Sequence, residues 1–125
     1  MKFASIRVVT ADVRALKGFY AALTGVEPTD LAPGFSEIRL EGCTIAISSE
    51  DIINKVNGRV IVPRSNRSLM LELEVDDVLA IRAGVTDGAL AEIVQPPTVM
   101  PQGNNSMLLR DPDGAIVNIF SRPKR

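Results

Sequence analysis

Apolar and polar side chains alternate with period two along "FASIRVVT". Ala4, Ile6 and Val8 fall on one face and Phe3, Ser5, Arg7 and Val9 on the other. This predicts a strand with one face on a core. The period then lengthens: Leu16, Phe19, Tyr20 and Leu23 recur at three- and four-residue spacing up to Gly25. A helix is expected there, N-capped by Asp12, closed by the glycine and lying on the strand's apolar face. "FSEIRLEGCTIAIS" predicts two short strands that turn at Glu41-Gly42. Residues 49 to 66 read as a connection with one helical turn over Ile52 to Val56.

The pattern then restarts. "SLMLELEV" places Leu69, Leu71, Leu73 and Val75 on one face and Met70, Glu72 and Glu74 on the other, and a second helical pattern follows Asp76-Asp77. Superposing Asp77 on Asp12 brings Val78 onto Val13, Ala80 onto Ala15, Ile81 onto Leu16 and Arg82 onto Lys17. Next come a strand at "AEIVQ", a long loop at "PPTVMPQGNNS", and two strands flanking "DPDG". In that turn Pro112 fixes φ, Asp111 and Asp113 can accept from nearby backbone amides, and Gly114 tolerates positive φ. The expectation is one α+β domain of two β-α-β-β-β modules. Module one covers about 1–48, the connection about 49–66, and module two about 67–125.

Composition narrows the chemistry. A chain of 125 residues with 46% apolar content can bury one core, and a net charge of −1 offers no single-sign field for nucleic acid or an anionic membrane. The closing "RPKR" is only a short basic tail. No apolar run reaches membrane-spanning length and no signal peptide is evident, so the reading is a cytoplasmic protein with no membrane partner. The single Cys43 excludes an internal disulfide and a multi-cysteine zinc site; it reads as a small apolar residue rather than a nucleophile. The absence of histidine removes Ser-His-Asp and Cys-His devices and the commonest transition-metal ligand.

The strand, Asp12 and helix with Phe19-Tyr20 and "LTG", the second strand ending in "VDD", and the terminal "RDPDGAIVNIF" together resemble the vicinal-oxygen-chelate superfamily. That group holds glyoxalase I, extradiol dioxygenases, fosfomycin-resistance enzymes and bleomycin-resistance proteins. The resemblance covers nearly the whole chain. It implies paired β-α-β-β-β modules whose mixed sheet curls around a cleft, usually in a homodimer. Metal-dependent members hold one divalent ion through His, Glu or Gln on four inward-facing strands. Carried onto this chain, the ligand positions fall on Ser5, on Ala46 or Ile47, on Met70 and on Asn118. A hydroxyl, an aliphatic group, a thioether and an amide offer neither imidazole nor carboxylate to a borderline divalent ion. No metal and no cofactor are therefore expected.

Strand parity nominates the residues that would face a ligand: Ser5, Arg7, Met70, Glu72, Asn118 and Phe120, with Gln102 contributed by the loop that the resemblance places over the cleft mouth. Arg7 and Glu72 stand at repeat-equivalent positions and are expected to pair with each other or with a ligand. Glu72 is the candidate general base if chemistry occurs. With 4% aromatic residues, the chain lacks the stacking surface a large planar drug would need. The leading expectation is a small-molecule-binding protein that works without metal and leans away from enzymatic function. Two alternatives stay open. One is a lyase, isomerase or dioxygenase-like enzyme with a displaced metal site through Glu72 and Glu74; the other is a partner-binding subunit with a vestigial cleft.

Overall fold

A computed structural model describes residues 1–88 and 90–124, so Arg125 of the basic tail lies outside the described residues. The chain divides into two compact units, Met1–Ser65 and Asn66–Arg125.

The first unit runs β1 (Ser5–Thr10), α1 (Val13–Thr24), β2 (Thr29–Ala32), β3 (Phe35–Arg39), β4 (Thr44–Ser49) and α2 (Glu50–Asn57). Its sheet has the order β1-β4-β3-β2, with β1 parallel to β4 and the other pairs antiparallel. Asp12 caps α1 by accepting a hydrogen bond from the Ala15 amide at 3.0 Å, and Gly25 closes the helix at φ 71°. A residue with a Cβ is disfavoured in that left-handed conformation. Leu16, Phe19, Tyr20 and Leu23 are buried, with Phe19 edge-on to Tyr20 at 4.9 Å between ring centres. Helix α1 packs on β3 and β4, while α2 takes β1 and β4. The strand face expected to carry the first helix is thus shared with a second one.

Three expectations need correcting here. Phe3 is 70% exposed and precedes the strand, which begins at Ser5. The short strand β2 was not foreseen, because four residues containing an aspartate carry almost no periodic signal. The helical turn over Ile52 to Val56 is an eight-residue helix. Ser49 caps it by accepting from the Ile52 amide at 3.2 Å, and Glu50, Asp51 and Lys55 are placed to suit the helix dipole.

The second unit repeats the topology as β5 (Met70–Glu74), α3 (Val78–Gly88), β6 (Glu92–Val99), β7 (Asn105–Arg110) and β8 (Ile116–Ser121), with sheet order β5-β8-β7-β6. Again the first and last strands pair in parallel and the rest antiparallel. Asp77 caps α3 as Asp12 caps α1, accepting from the Leu79 amide at 2.9 Å. Leu71, Met107, Leu109, Val117 and Ile119 are buried between sheet and helix with Val78 and Val85. The parallel pairing makes the repeat explicit: Arg7 opposes Ala46 in the first unit as Glu72 opposes Asn118 in the second.

The long loop expected at "PPTVMPQGNNS" is not a loop. Strand β6 runs on through Pro96-Pro97 to Val99, and a tight turn closes onto β7 through the Met100 amide bonded to the Asn104 carbonyl at 2.7 Å. Proline cannot donate to a ladder, but β6 is the outer strand of its sheet and register shifts absorb the missing donors. Among the described residues, no helix is long and apolar enough to cross a membrane.

Candidate functional site

Each sheet has one face turned to its helices and one face free of them. In the first unit, side chains opposed across the strands share the helix-free face as Ser5 with Thr44 and Arg39, Arg7 with Ala46 and Glu37, and Val9 with Ser48 and Phe35. Ala46, not Ile47, therefore stands beside Arg7; Ile47 opposes Ser36 on the helix side. The Arg7 guanidinium lies 4.5 Å from the centre of the Phe35 ring, a cation–π contact. Glu37 is taken by Arg39 at 2.9 Å. Ser5 is exposed at the start of its strand. The fully buried Ser48 hydroxyl has no hydrogen-bond partner among the described residues.

On the second unit's helix-free face, Met70 opposes Ile116, Glu72 opposes Asn118, and Glu74 opposes Phe120. Continuing across the sheet, Ile116 meets Arg110, Asn118 meets Leu108, and Phe120 meets Ser106. Asn118 sits at the middle of this face and is 8% exposed. Its Nδ2 donates to Glu72 Oε2 at 2.9 Å, while its buried Oδ1 has no donor among the described residues. A buried polar atom left without a partner costs about 1–3 kcal/mol, so this one calls for an explanation. Glu74 is held by Arg122 at 3.2 Å, and the same guanidinium lies 5.6 Å from the Phe120 ring centre. Arg110 holds Glu92, also at 3.2 Å.

The nominated residues thus fall into two groups, each described within its own unit. Ser5 and Arg7 share one face; Met70, Glu72, Asn118 and Phe120 share the other, where Glu72 and Asn118 touch. Within its own unit Arg7 rests on Phe35, and Glu72 accepts from Asn118. Gln102 lies exposed in the tight β6–β7 turn. Gln95, which opposes Leu108 in the row of Asn118, was missed. The irregular register between Ile93 and Gln95 defeats parity, so alternation could not have assigned its face.

Of the positions onto which the resemblance carries metal ligands, Ser5 and Ala46 lie in the first unit and Met70 and Asn118 in the second; taken one by one they offer no anionic oxygen, no imidazole and, at Ala46, no donor atom, which does not fit a borderline divalent ion. Among the described residues no three His, Cys, Asp or Glu side chains gather as metal ligands. Elsewhere in the first unit, an open cavity of about 370 Å³ lies beside Lys17, Asp30, Leu31 and Ser36. Its carboxylate is already engaged. Ser36 donates to Asp30 at 2.5 Å and Lys17 pairs with it at 3.2 Å, and together they hold the Asp30 carboxyl below the usual carboxylate range.

No family model matches the chain, and no curated protein does. Solved structures do. A glyoxalase-related enzyme from Fulvimarina pelagi superposes with a TM-score of 0.82 at 23% identity, covering 98% of this chain and 89% of that one. A glyoxalase/bleomycin resistance protein/dioxygenase family enzyme from Burkholderia phytofirmans PsJN gives 0.83 at 18% identity, covering 95% and 97%. A glyoxalase/bleomycin resistance protein/dioxygenase from Nocardioides gives 0.74 at 20% identity, covering 100% and 89%. The chain has the glyoxalase/bleomycin resistance/dioxygenase fold.

Proposed function

We propose that this chain is a vicinal-oxygen-chelate protein that binds a small organic molecule against its helix-free sheet faces and does so without a metal ion. The observation that carries the reading is the side chains at the four repeat-related positions. None of Ser5, Ala46, Met70 and Asn118 is an anionic or imidazole ligand, and the strand pairing that sets Ala46 opposite Arg7 and Asn118 opposite Glu72 supports the reading. The scaffold is kept and the ion-binding chemistry is replaced by groups that hydrogen-bond or pack. A cytoplasmic location is part of the same reading, supported by a single unpaired cysteine.

The test is direct. Protein purified without chelator should hold well under one divalent ion per chain by elemental analysis, and Ni²⁺, Zn²⁺ or Mn²⁺ should leave its melting temperature unchanged. Only binding that prefers the folded state can raise that temperature. A stoichiometric ion, or a clear upward shift with any of the three, overturns the metal-free reading. A screen of small metabolites by thermal shift tests binding itself, and ligands found there should bind equally well after dialysis against EDTA.

The protein is also proposed to be a homodimer. Leu31 on the outer strand β2 and Val94 and Val99 on the outer strand β6 are exposed apolar side chains, at 47%, 41% and 72%, beside unpaired backbone edges. Association through a two-fold axis would cover such edges. Light scattering at micromolar concentration should return twice the chain mass; a monomer alone would refute it.

A further inference from the structure

We infer that Glu72 and Asn118 form a subsite for a protonated amine carried on a hydrocarbon body. This rests on the small-molecule-binding reading above and names the chemical class of ligand.

The case begins with the unsatisfied atom. Asn118 is more than nine-tenths buried, and its amide is fixed by the Nδ2 hydrogen bond to Glu72, because an ionised carboxylate can only accept. The other arm, Oδ1, is therefore an acceptor held in place with nothing donating to it among the described residues. The group that completes it must be a donor. Charge narrows the choice: on this face Glu74 is neutralised by Arg122 and Glu92 by Arg110, whereas Glu72 has a neutral amide as its partner. A ligand set beside Asn118 thus meets a negative charge with no cation paired to it among the described residues. A carboxylate or phosphate would be repelled, a neutral hydroxyl would satisfy Oδ1 but leave the charge, and an ammonium supplies both donor and charge.

The surroundings select what the amine is attached to. Ile116 and Phe120 flank Asn118 along β8, and Leu108 lies beside it on β7, so the pair is framed by hydrocarbon. Phe120 already accepts one cation over its ring, from Arg122. Strand β5 is the edge of the sheet, and Met70, two residues before Glu72 on the same face, is an exposed, flexible side chain that can swing aside while Glu72 keeps its hydrogen bond to Asn118. A hard divalent cation is the competing occupant. One carboxylate and one amide oxygen fall well short of the six to eight oxygen ligands such ions take, or of the carboxylate pair and phosphates that hold magnesium.

The experiment uses the ¹⁵N-labelled full chain at pH 7 and constant ionic strength, titrated separately with benzylammonium chloride, benzyl alcohol and sodium benzoate. Benzylammonium should shift the Asn118 side-chain amide and the backbone amides of β8 saturably. The alcohol should bind at least tenfold more weakly, and benzoate should not bind. Glu72→Gln, at an exposed position, should weaken benzylammonium at least tenfold without changing the melting temperature appreciably. Asn118→Leu should abolish binding, read on the Ile119 amide, while melting no lower than the native chain, since it replaces an unsatisfied buried amide by an apolar group of similar shape. Equal affinity for alcohol and ammonium, unchanged affinity in Glu72→Gln, no response to benzylammonium, or stabilisation by Mn²⁺ that depends on these two residues would each overturn the amine assignment. The metabolite screen judges the binding reading separately. Hits that are all anionic or neutral sink the amine and leave binding intact, whereas no hit of any class removes both.

Discussion

Ile119→Ala should lower the free energy of unfolding by about 2–5 kcal/mol, whereas Asn118→Ala, one residue before it, should change it by less than about 1.5 kcal/mol. Ile119 is 1% exposed on the helix side of its sheet and opposes Met107, itself fully buried. Truncation there removes transfer energy and leaves a cavity in a close-packed layer. Asn118 faces the other way. The hydrogen bond it would lose is to an exposed carboxylate that water can solvate, and the unsatisfied Oδ1 disappears with it. Denaturant midpoints measured side by side decide the matter. If Asn118→Ala unfolds the protein and Ile119→Ala does not, the strand is shifted by one residue and every assignment to the helix-free face fails with it.

That contrast also marks where sequence is informative. Strand parity is a local property, so the alternation of Leu71 with Glu72, or of Ile119 with Asn118, is readable from a handful of residues. The capping carboxylates Asp12 and Asp77 were legible for the same reason, since a side chain that accepts from an amide three residues on needs no tertiary context. What the sequence left open or misread depended on neighbours. Whether Ala46 or Ile47 stands beside Arg7 is set by the lateral pairing of β1 with β4, which no period along the chain encodes. Pro96-Pro97 argues for a loop until its strand is known to be the outer one of the sheet. Ile6, expected on the core face of its strand, is only half-buried, because β1 is itself an outer strand. The contact between Glu72 and Asn118 joins residues 46 positions apart. Parity put the two on one face, but only the parallel register of β5 with β8 makes them touch.

Asp111→Ala should cost about 2–4 kcal/mol, as the sum of two amides deprived of their acceptor at about 1–3 kcal/mol each and partly rehydrated. The "DPDG" turn is organised around this one carboxylate. Asp111 is 4% exposed, and its Oδ1 accepts from the backbone amides of Asp113 and Ala115, both at 2.9 Å. Its own amide donates to the Ala115 carbonyl, and its carbonyl accepts from the Gly114 amide, again at 2.9 Å each. Gly114 adopts φ 90°, a conformation that few side chains tolerate, so the turn is closed at both ends by residues chosen for it. The turn fixes where β8 begins relative to β7, and hence which residue opposes Leu108. Loosening it should therefore reach Asn118 before it reaches the helices. Asp111→Asn retains an oxygen acceptor and should lose less than half as much stability as Asp111→Ala. Hydrogen exchange in Asp111→Ala should quicken first across Ile116–Phe120, with α1 in the other unit unaffected. An Asp111→Ala protein within about 0.5 kcal/mol of the native chain, a change usual for an unremarkable surface position, would show that the strand register is set elsewhere.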